Sequence, residues 1–134
     1  MVSRSRDQSG LQYCFHSVTS ISASSFAGCI ALESIQVAPG NSSYADIGGV
    51  LANAQKTMII FCPQGLSGHY EIPDTITKIG DFAFFDCPGL TGVSIPSSIA
   101  TIGESAFSYC TGLANLTIPS SVSSFGNSAF SNCT

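Results

Sequence analysis

The chain has 134 residues, 44% hydrophobic and only 9% charged, with a formal net charge of −4. Four Lys and Arg against eight Asp and Glu leave no basic patch, which excludes a nucleic-acid binder that works by neutralising phosphates. The longest unbroken apolar run, Met58–Cys62, is far below the roughly 20 residues a bilayer-spanning helix needs. No membrane insertion is therefore expected of this segment. The polar start Met1–Gly10 lacks the apolar core of a signal peptide, so any export signal or anchor would have to lie outside this sequence.

Residues 1–17 follow no repeat. Arg4 and Arg6 read as an atypical, solvated or disordered lead, and Tyr13-Cys14-Phe15 has the character of a last, degenerate strand. From residue 18 one pattern takes over and defines a single domain, 18–134. Its first copy, 18–40, runs Val18, Ile21, Phe26, Cys29, Leu32, Ile35 and Val37, with Ser22 and Ala38 where later copies hold Gly and Pro. A longer unit, 41–69, contains Asn41, Tyr44, Gly49-Val50-Leu51, Lys56-Thr57-Met58-Ile59-Ile60 and Pro63 to Gly65. Then three copies keep strict step: 70–92, 93–115 and 116–134, the last incomplete. Pro73, Pro96 and Pro119 lie 23 residues apart, each after an Ile (Ile72, Ile95, Ile118). A branched residue follows (Ile76, Ile99, Val122), then an apolar-Gly pair (Ile79-Gly80, Ile102-Gly103, Phe125-Gly126). Ala-Phe (Ala83-Phe84, Ala106-Phe107, Ala129-Phe130), Cys (Cys87, Cys110, Cys133) and Leu (Leu90, Leu113) complete the unit.

A short unit repeated at fixed period builds a stack. A single copy cannot bury enough apolar surface to offset the entropy of ordering its backbone, so each copy must cover its neighbour. Within one copy Val93-Ser94-Ile95 alternates as a half-buried strand does, and Pro96 ends it. Ile99 to Ile102 suits a second short extended stretch. Glu104 to Cys110 suits one helical or 3₁₀ turn, since Phe107 and Cys110 stand three apart. Asp81 and Glu104 then fall near the first residue of that turn, where a carboxylate caps the dipole. Gly80, Gly89, Gly103 and Gly112 supply corners.

The pattern L-x-x-[VIL]-x-I-P-x-x-[IV]-x-x-I-G-x-x-A-F-x-x-C resembles the BspA-like branch of the leucine-rich-repeat proteins, over about Val18 to Thr134. The resemblance implies an α/β solenoid, a right-handed stack with short parallel strands lining one face. Short extended or 3₁₀/helical turns would line the other, and 41–69 would be the hairpin-bearing unit such proteins often insert. It also implies a surface-exposed adhesion or recognition protein of the kind found in bacteria and parasitic protists, and not an enzyme. No polar capping unit closes either end, so a piece of a longer array or an incomplete gene model is expected.

The chemistry-bearing residues agree. Cys87, Cys110 and Cys133 occupy one place in successive copies, about 4.8 Å apart, beyond the roughly 3.5–4.5 Å between Cβ atoms that a disulfide requires. A straight row of thiols cannot surround a metal, and there is no C-x-x-C pair, so buried, reduced ladder thiols are expected. Cys14 and Cys62 lie outside that ladder and are the better partners should a bridge form. His16 and His69 sit in no motif with a nucleophile and an acid, and Gly48-Gly49 is a turn and not a phosphate loop. No catalytic, cofactor-binding or metal residue is expected, and no cofactor. Three sequons, at Asn41, Asn115 and Asn132, matter only in a secreted eukaryotic chain.

Function then falls to the face that repetition creates. Gln36, Glu71, Ser94 and Thr117 flank the buried strand positions and are expected to form one exposed lane, with Thr91, Ala114 and Asn115 beside it. Either that lane contacts a ligand or its members are solvated spacers. A binding module for a protein or glycan, at the cell surface or outside the cell, is the favoured reading. The alternative is an intracellular scaffold repeat that mediates protein–protein interaction. An export signal in the full-length chain separates the two.

Overall fold

The computed structural model describes residues 2–7, 10–15 and 32–133. Val18, Ile21, Phe26 and Cys29 of the first copy, and His16, lie outside the described residues. The strands are β1 (Val2–Asp7), β2 (Gly10–Phe15), β3 (Leu32–Val37), β4 (Tyr44–Ile47), β5 (Val50–Asn53) and β6 (Met58–Phe61), followed by β7 (Gly68–Glu71), β8 (Lys78–Ile79), β9 (Leu90–Ser94), β10 (Thr101–Ile102), β11 (Asn115–Leu116) and β12 (Ser124–Phe125). They pair in three sheets. The first is β1-β2-β3, in which β2 runs antiparallel to β1 and parallel to β3. The second, β7-β9-β11, is parallel throughout and comes from the stretch before each Ile-Pro. The third runs β12-β10-β8-β6 in parallel and is extended by antiparallel β5 and β4.

Each regular rung therefore has two short strands, as its alternation predicts, and the corner between them is set by proline. The carbonyls of Pro73, Pro96 and Pro119 accept from the N–H groups of Ile76, Ile99 and Val122 at 3.1 to 3.2 Å, closing the same turn three times. Successive rungs then fall into register: Thr101 pairs with Lys78 on one side and with Ser124 on the other. Inside, Ile76, Ile79, Phe84, Cys87 and Leu90 of one rung meet Ile99, Ile102, Phe107 and Cys110 of the next, all fully buried. The three phenylalanines form a continuous interior column. Phe84 and Phe107 stack at 4.9 Å with planes 4° apart, and Phe107 and Phe130 at 5.5 Å and 3°.

The third side of the rung corrects the expected helical turn. Among the described residues there is no helix; residues 81–86, 104–109 and 127–132 are successive tight turns. Phe82, Asp86, Ser105, Tyr109, Ser128 and Asn132 take left-handed φ values of 50 to 62°. The reason lies in backbone hydrogen bonding between rungs. Phe82, Phe84 and Asp86 donate to the carbonyls of Glu104, Ala106 and Ser108 in the next rung, while Ala83 and Phe85 donate locally to Gly80 and Phe82. In a single helical turn the first four N–H groups point along its axis with no partner inside it, so these donors and the neighbour's carbonyls would both go unpaired. The dipole-capping role of Asp81 fails with the helix. Its Oδ1 instead accepts from the Glu104 N–H across the rung boundary, at 2.8 Å.

The thiol ladder of Cys87, Cys110 and Cys133 is present, with Cys62 beside its first member. Cys62, Cys87, Cys110 and Cys133 are free thiols, the first three fully buried. Cys110 Sγ donates to the Phe84 carbonyl at 2.8 Å and Cys133 Sγ to that of Phe107 at 2.7 Å. Cys87 Sγ does the same to the Cys62 carbonyl at 3.7 Å. Cys62 keeps its place outside the ladder position: its N–H donates to Ala83 as that of Phe84 does to Ala106, so it takes the place of the phenylalanine, in a shortened rung, and its carbonyl receives the Cys87 thiol. In the same unit β4 and β5 pair antiparallel through Gly48 and Gly49, whose φ values of 59 and 89° match a two-residue reversal that glycine adopts readily. Tyr70 pins this segment to the stack, donating from its hydroxyl to the Ile47 carbonyl at 2.8 Å while its ring packs 6.0 Å from that of Phe84.

Candidate functional site

Sheet β7-β9-β11 gives one side of the stack a flat, parallel surface. Its inward residues Tyr70, Leu90 and Val93 are buried, so the residues between them must face outward. Glu71 pairs with Ser94, and Thr117 follows the Leu116–Val93 pair, so these three side chains occupy one lane. Glu71 and Thr117 are exposed and Ser94 is half-buried. A second lane, His69, Gly92 and Asn115, runs beside it in the same register. Thr91 and Ala114 border that lane, and the Ala114 N–H donates to the Thr91 carbonyl at 3.0 Å.

Gln36 does not join this lane. It lies on β3, exposed, opposite Cys14 of β2 in a different sheet. The cause is the long unit that follows it. Its Gly48-Gly49 turn folds against β3: the Ile35 N–H donates to the Gly49 carbonyl at 2.8 Å, and a Cβ on Gly49 would stand 3.1 Å from the Ser34 Cβ. That contact occupies the edge on which β7 would otherwise extend the sheet.

His69 joins the face although no local motif marks it. Its Nε2 lies 2.7 Å from Ser94 Oγ, bridging the two lanes. The ring also covers the next rung, since a Cβ on Gly92 would be 2.7 Å from His69 Nδ1. The 23-residue step from His69 to Gly92 to Asn115 was the signal that could have found it. A Ser–His contact alone is not a nucleophile and base. The Nδ1 faces the bare α-carbon of Gly92 and not a carboxylate that would orient the ring, and the pair stands on an open surface. Among the described residues no cluster of His, Cys, Asp and Glu has the arrangement to hold a metal ion.

Next to the lane is a hollow of about 430 Å³, lined by Glu71, Ile72, Pro73 and Asp74 on one rung and Ser94, Ile95 and Pro96 on the next. It combines walls of buried Ile72 and half-buried Pro73, Ile95 and Pro96 with two exposed carboxylates and a hydroxyl. This arrangement offers acceptors and apolar contact to a ligand lying across the rungs. It provides no preorganised group for bond cleavage. Among the described residues no helix is long and apolar enough to cross a membrane.

Comparison with known proteins places this architecture. The chain is similar to a leucine-rich repeat protein from Eubacterium ventriosum, at 29% identity and a TM-score of 0.85, over 92% of this chain and 34% of that one. A leucine rich cell surface protein from Faecalibacterium prausnitzii matches at 29% identity and a TM-score of 0.77, over 90% of this chain and 33% of that one. The pneumococcal vaccine antigen PcpA shares the fold at 21% identity and a TM-score of 0.73, over 84% of this chain and 35% of that one. The chain thus spans about a third of the length of these structures. Comparison with curated proteins finds no match. Residues 12–48 and 60–134 match the BspA type leucine rich repeat region in six copies, and the interruption runs from just before β5 into the first half of β6. On this match and the stacked parallel sheets, the chain belongs to the BspA-type leucine-rich-repeat family.

Proposed function

We propose that this segment is a non-catalytic binding module that offers the β7-β9-β11 face to a protein or glycan, at the cell surface or outside the cell. The carrying observation is the lane of Glu71, Ser94 and Thr117 beside a hollow built from two successive rungs. Such a site exists only when rungs stack, so it suits an extended ligand spanning several of them. The likeness to a leucine rich cell surface protein supports the location. In this reading the chain is a section of right-handed solenoid, with 18–40 as the first repeat, 41–69 as a hairpin-bearing unit, and 70–92, 93–115 and 116–134 as regular repeats, the last incomplete.

A panel of immobilised extracellular-matrix proteins and glycans tests the assignment, with Glu71→Arg and Thr117→Arg as face variants. Gln55→Arg, exposed in the connection before β6, serves as an off-face control. The expected result is a ligand whose binding both face variants abolish and the control retains, at unchanged melting temperature. Equal binding by all of them, or no ligand in either class, sinks the proposal.

A further inference from the structure

The turn segments carry three aromatic rings that the stack does not require. Phe82 and Phe85 pack at 5.6 Å and 66°, and Phe85 and Tyr109 at 5.6 Å and 68°, forming one cluster across two rungs. Phe82 is 38% exposed and Tyr109 47% exposed. The neighbouring rungs act as an internal control. Ser105 and Ser128 stand where Phe82 stands, Ser108 and Ser131 where Phe85 stands, and Asp86 and Asn132 where Tyr109 stands. Backbone conformation is the same with either type of residue: φ is 59° at Phe82 against 50 and 57° at Ser105 and Ser128, and 62° at Tyr109 against 53 and 60° at Asp86 and Asn132. A left-handed backbone disfavours bulky side chains, and Phe82 and Tyr109 leave a large part of each ring in water, so burial rewards them less than it does the core rings. Small polar residues suit this edge; the rings are surplus to the fold.

The chemistry around them is acidic. Turn segments 81–86 and 104–109 contain Asp81, Asp86 and Glu104 and no cation. Asp86 follows Phe85 in the chain and is level with Tyr109 across the rung boundary, its N–H donating to the Ser108 carbonyl at 2.8 Å. Gln64, only 9% exposed, fixes the Asp86 carboxylate by donating from Nε2 to Oδ2 at 3.1 Å. The other end of that amide, Oε1, is buried and has no partner. Aromatic rings, a held carboxylate and a spare amide acceptor therefore lie together.

We propose that this edge docks an arginine side chain of a protein partner, with the guanidinium against Tyr109 and hydrogen-bonded to Asp86, and the Phe85 and Phe82 rings extending the apolar contact on the other side of Tyr109. Arginine fits because its planar cation both stacks on rings and donates in parallel to a carboxylate. A neutral sugar would use the rings and leave the acidic groups uncompensated. The edge occupies a different side of each rung from the Glu71–Ser94–Thr117 lane, so the two sites stand or fall separately.

The test uses the whole chain, ¹⁵N-labelled and titrated with an acetylated, amidated peptide of alternating Arg and Gly. Parallel titrations use the same peptide with neutral citrulline for Arg, and a neutral oligosaccharide. The triple variant Phe82→Ser, Phe85→Ser, Tyr109→Asn copies the residues of rung 116–134, and Asp86→Asn removes the charge alone. The Arg peptide is expected to shift the Asp86 and Tyr109 amides and to bind about tenfold or more tightly than the citrulline peptide. Both variants are expected to lose that margin while melting close to the parent temperature. Equal affinity for the citrulline peptide, undiminished binding by the triple variant, shifts confined to the Glu71 face, or a preference for the oligosaccharide would each overturn the proposal. So would unfolding of the triple variant, because the rings would then be structural.

Discussion

Phe107 and Ser94 lie in consecutive parts of one rung and define its inside and outside. Phe107 is fully buried between two parallel rings, so Phe107→Ala leaves a cavity in the column and is expected to cost about 3–5 kcal/mol. Ser94 bonds only an exposed histidine ring that water can serve equally well, and Ser94→Ala is expected to cost under about 0.5 kcal/mol. Equal losses in urea denaturation would mean that the two faces are exchanged. The thiols supply a second test at this scale. Burial, then the hydrogen bond and charge of Cys87, push the Cys62 thiol well up. Burial pushes Cys110 from the usual 9.0 up to about 12, against a smaller lowering by a hydrogen bond from the Cys87 backbone. A raised folded pKa means that the unfolded chain ionises first as pH rises. The stability these thiols contribute is complete below pH 9.0 and is lost on approach to 12. The urea midpoint is therefore expected to be flat through neutral pH and to fall above pH 9.0, less steeply in Cys110→Ala. A midpoint falling already between neutrality and pH 8 would contradict the burial of the ladder. The three regular ladder positions were legible from spacing; that Cys62 takes the place of a core phenylalanine was not, because a shortened rung breaks the 23-residue step.

Elements divide by what their spacing can encode. The short strands were legible because alternation has one structural meaning and proline marks where it stops. The turn segments were not, since an apolar residue three positions from the next satisfies a helical turn and a string of tight turns alike. What decides between them is where the N–H groups of Phe82, Phe84 and Asp86 find acceptors, and those acceptors are on another rung. The same non-local cause displaced Gln36: its own sequence matches the strand pattern, but the Gly48-Gly49 turn, brought over by β4 and β5, takes the adjacent edge. Close approach of rungs makes a further prediction. A Cβ on Gly103 would sit 2.6 Å from the Asp81 nitrogen and 2.7 Å from the Gly80 carbonyl carbon, both backbone atoms that cannot yield without moving a rung. Gly103→Ala is expected to destabilise by about 1–3 kcal/mol. Gly40 has nothing within 4 Å of the equivalent point, and Gly40→Ala is expected to be neutral or stabilising by up to about 1 kcal/mol through the unfolded chain. Thermal melts that rank the two variants the other way would refute the packed Gly corner.

At the scale of the whole molecule, the stack was readable because one register repeats, and the binding face was readable only in part because register alone does not say which residue a neighbouring rung will touch. His69 and Gln64 acquire their partners, Ser94 and Asp86, from the following rung and carry no local mark of it. That dependence on neighbours also limits how far a perturbation should travel. Each rung contacts the next through the ring column and the ladders, so energetic coupling should reach one rung and stop. Double-mutant cycles on the column measure this directly. Phe84 and Phe107 stack at 4.9 Å, and Phe107 and Phe130 at 5.5 Å, so the alanine pairs at these neighbours are expected to deviate from additivity by about 0.5–1.5 kcal/mol. Phe84 and Phe130 have Phe107 between them, and their alanine pair is expected to add within about 0.5 kcal/mol. Strong coupling between Phe84 and Phe130 with Phe107 intact would show that the core responds as one cooperative body, and the picture of rungs that communicate only with their neighbours would have to be abandoned.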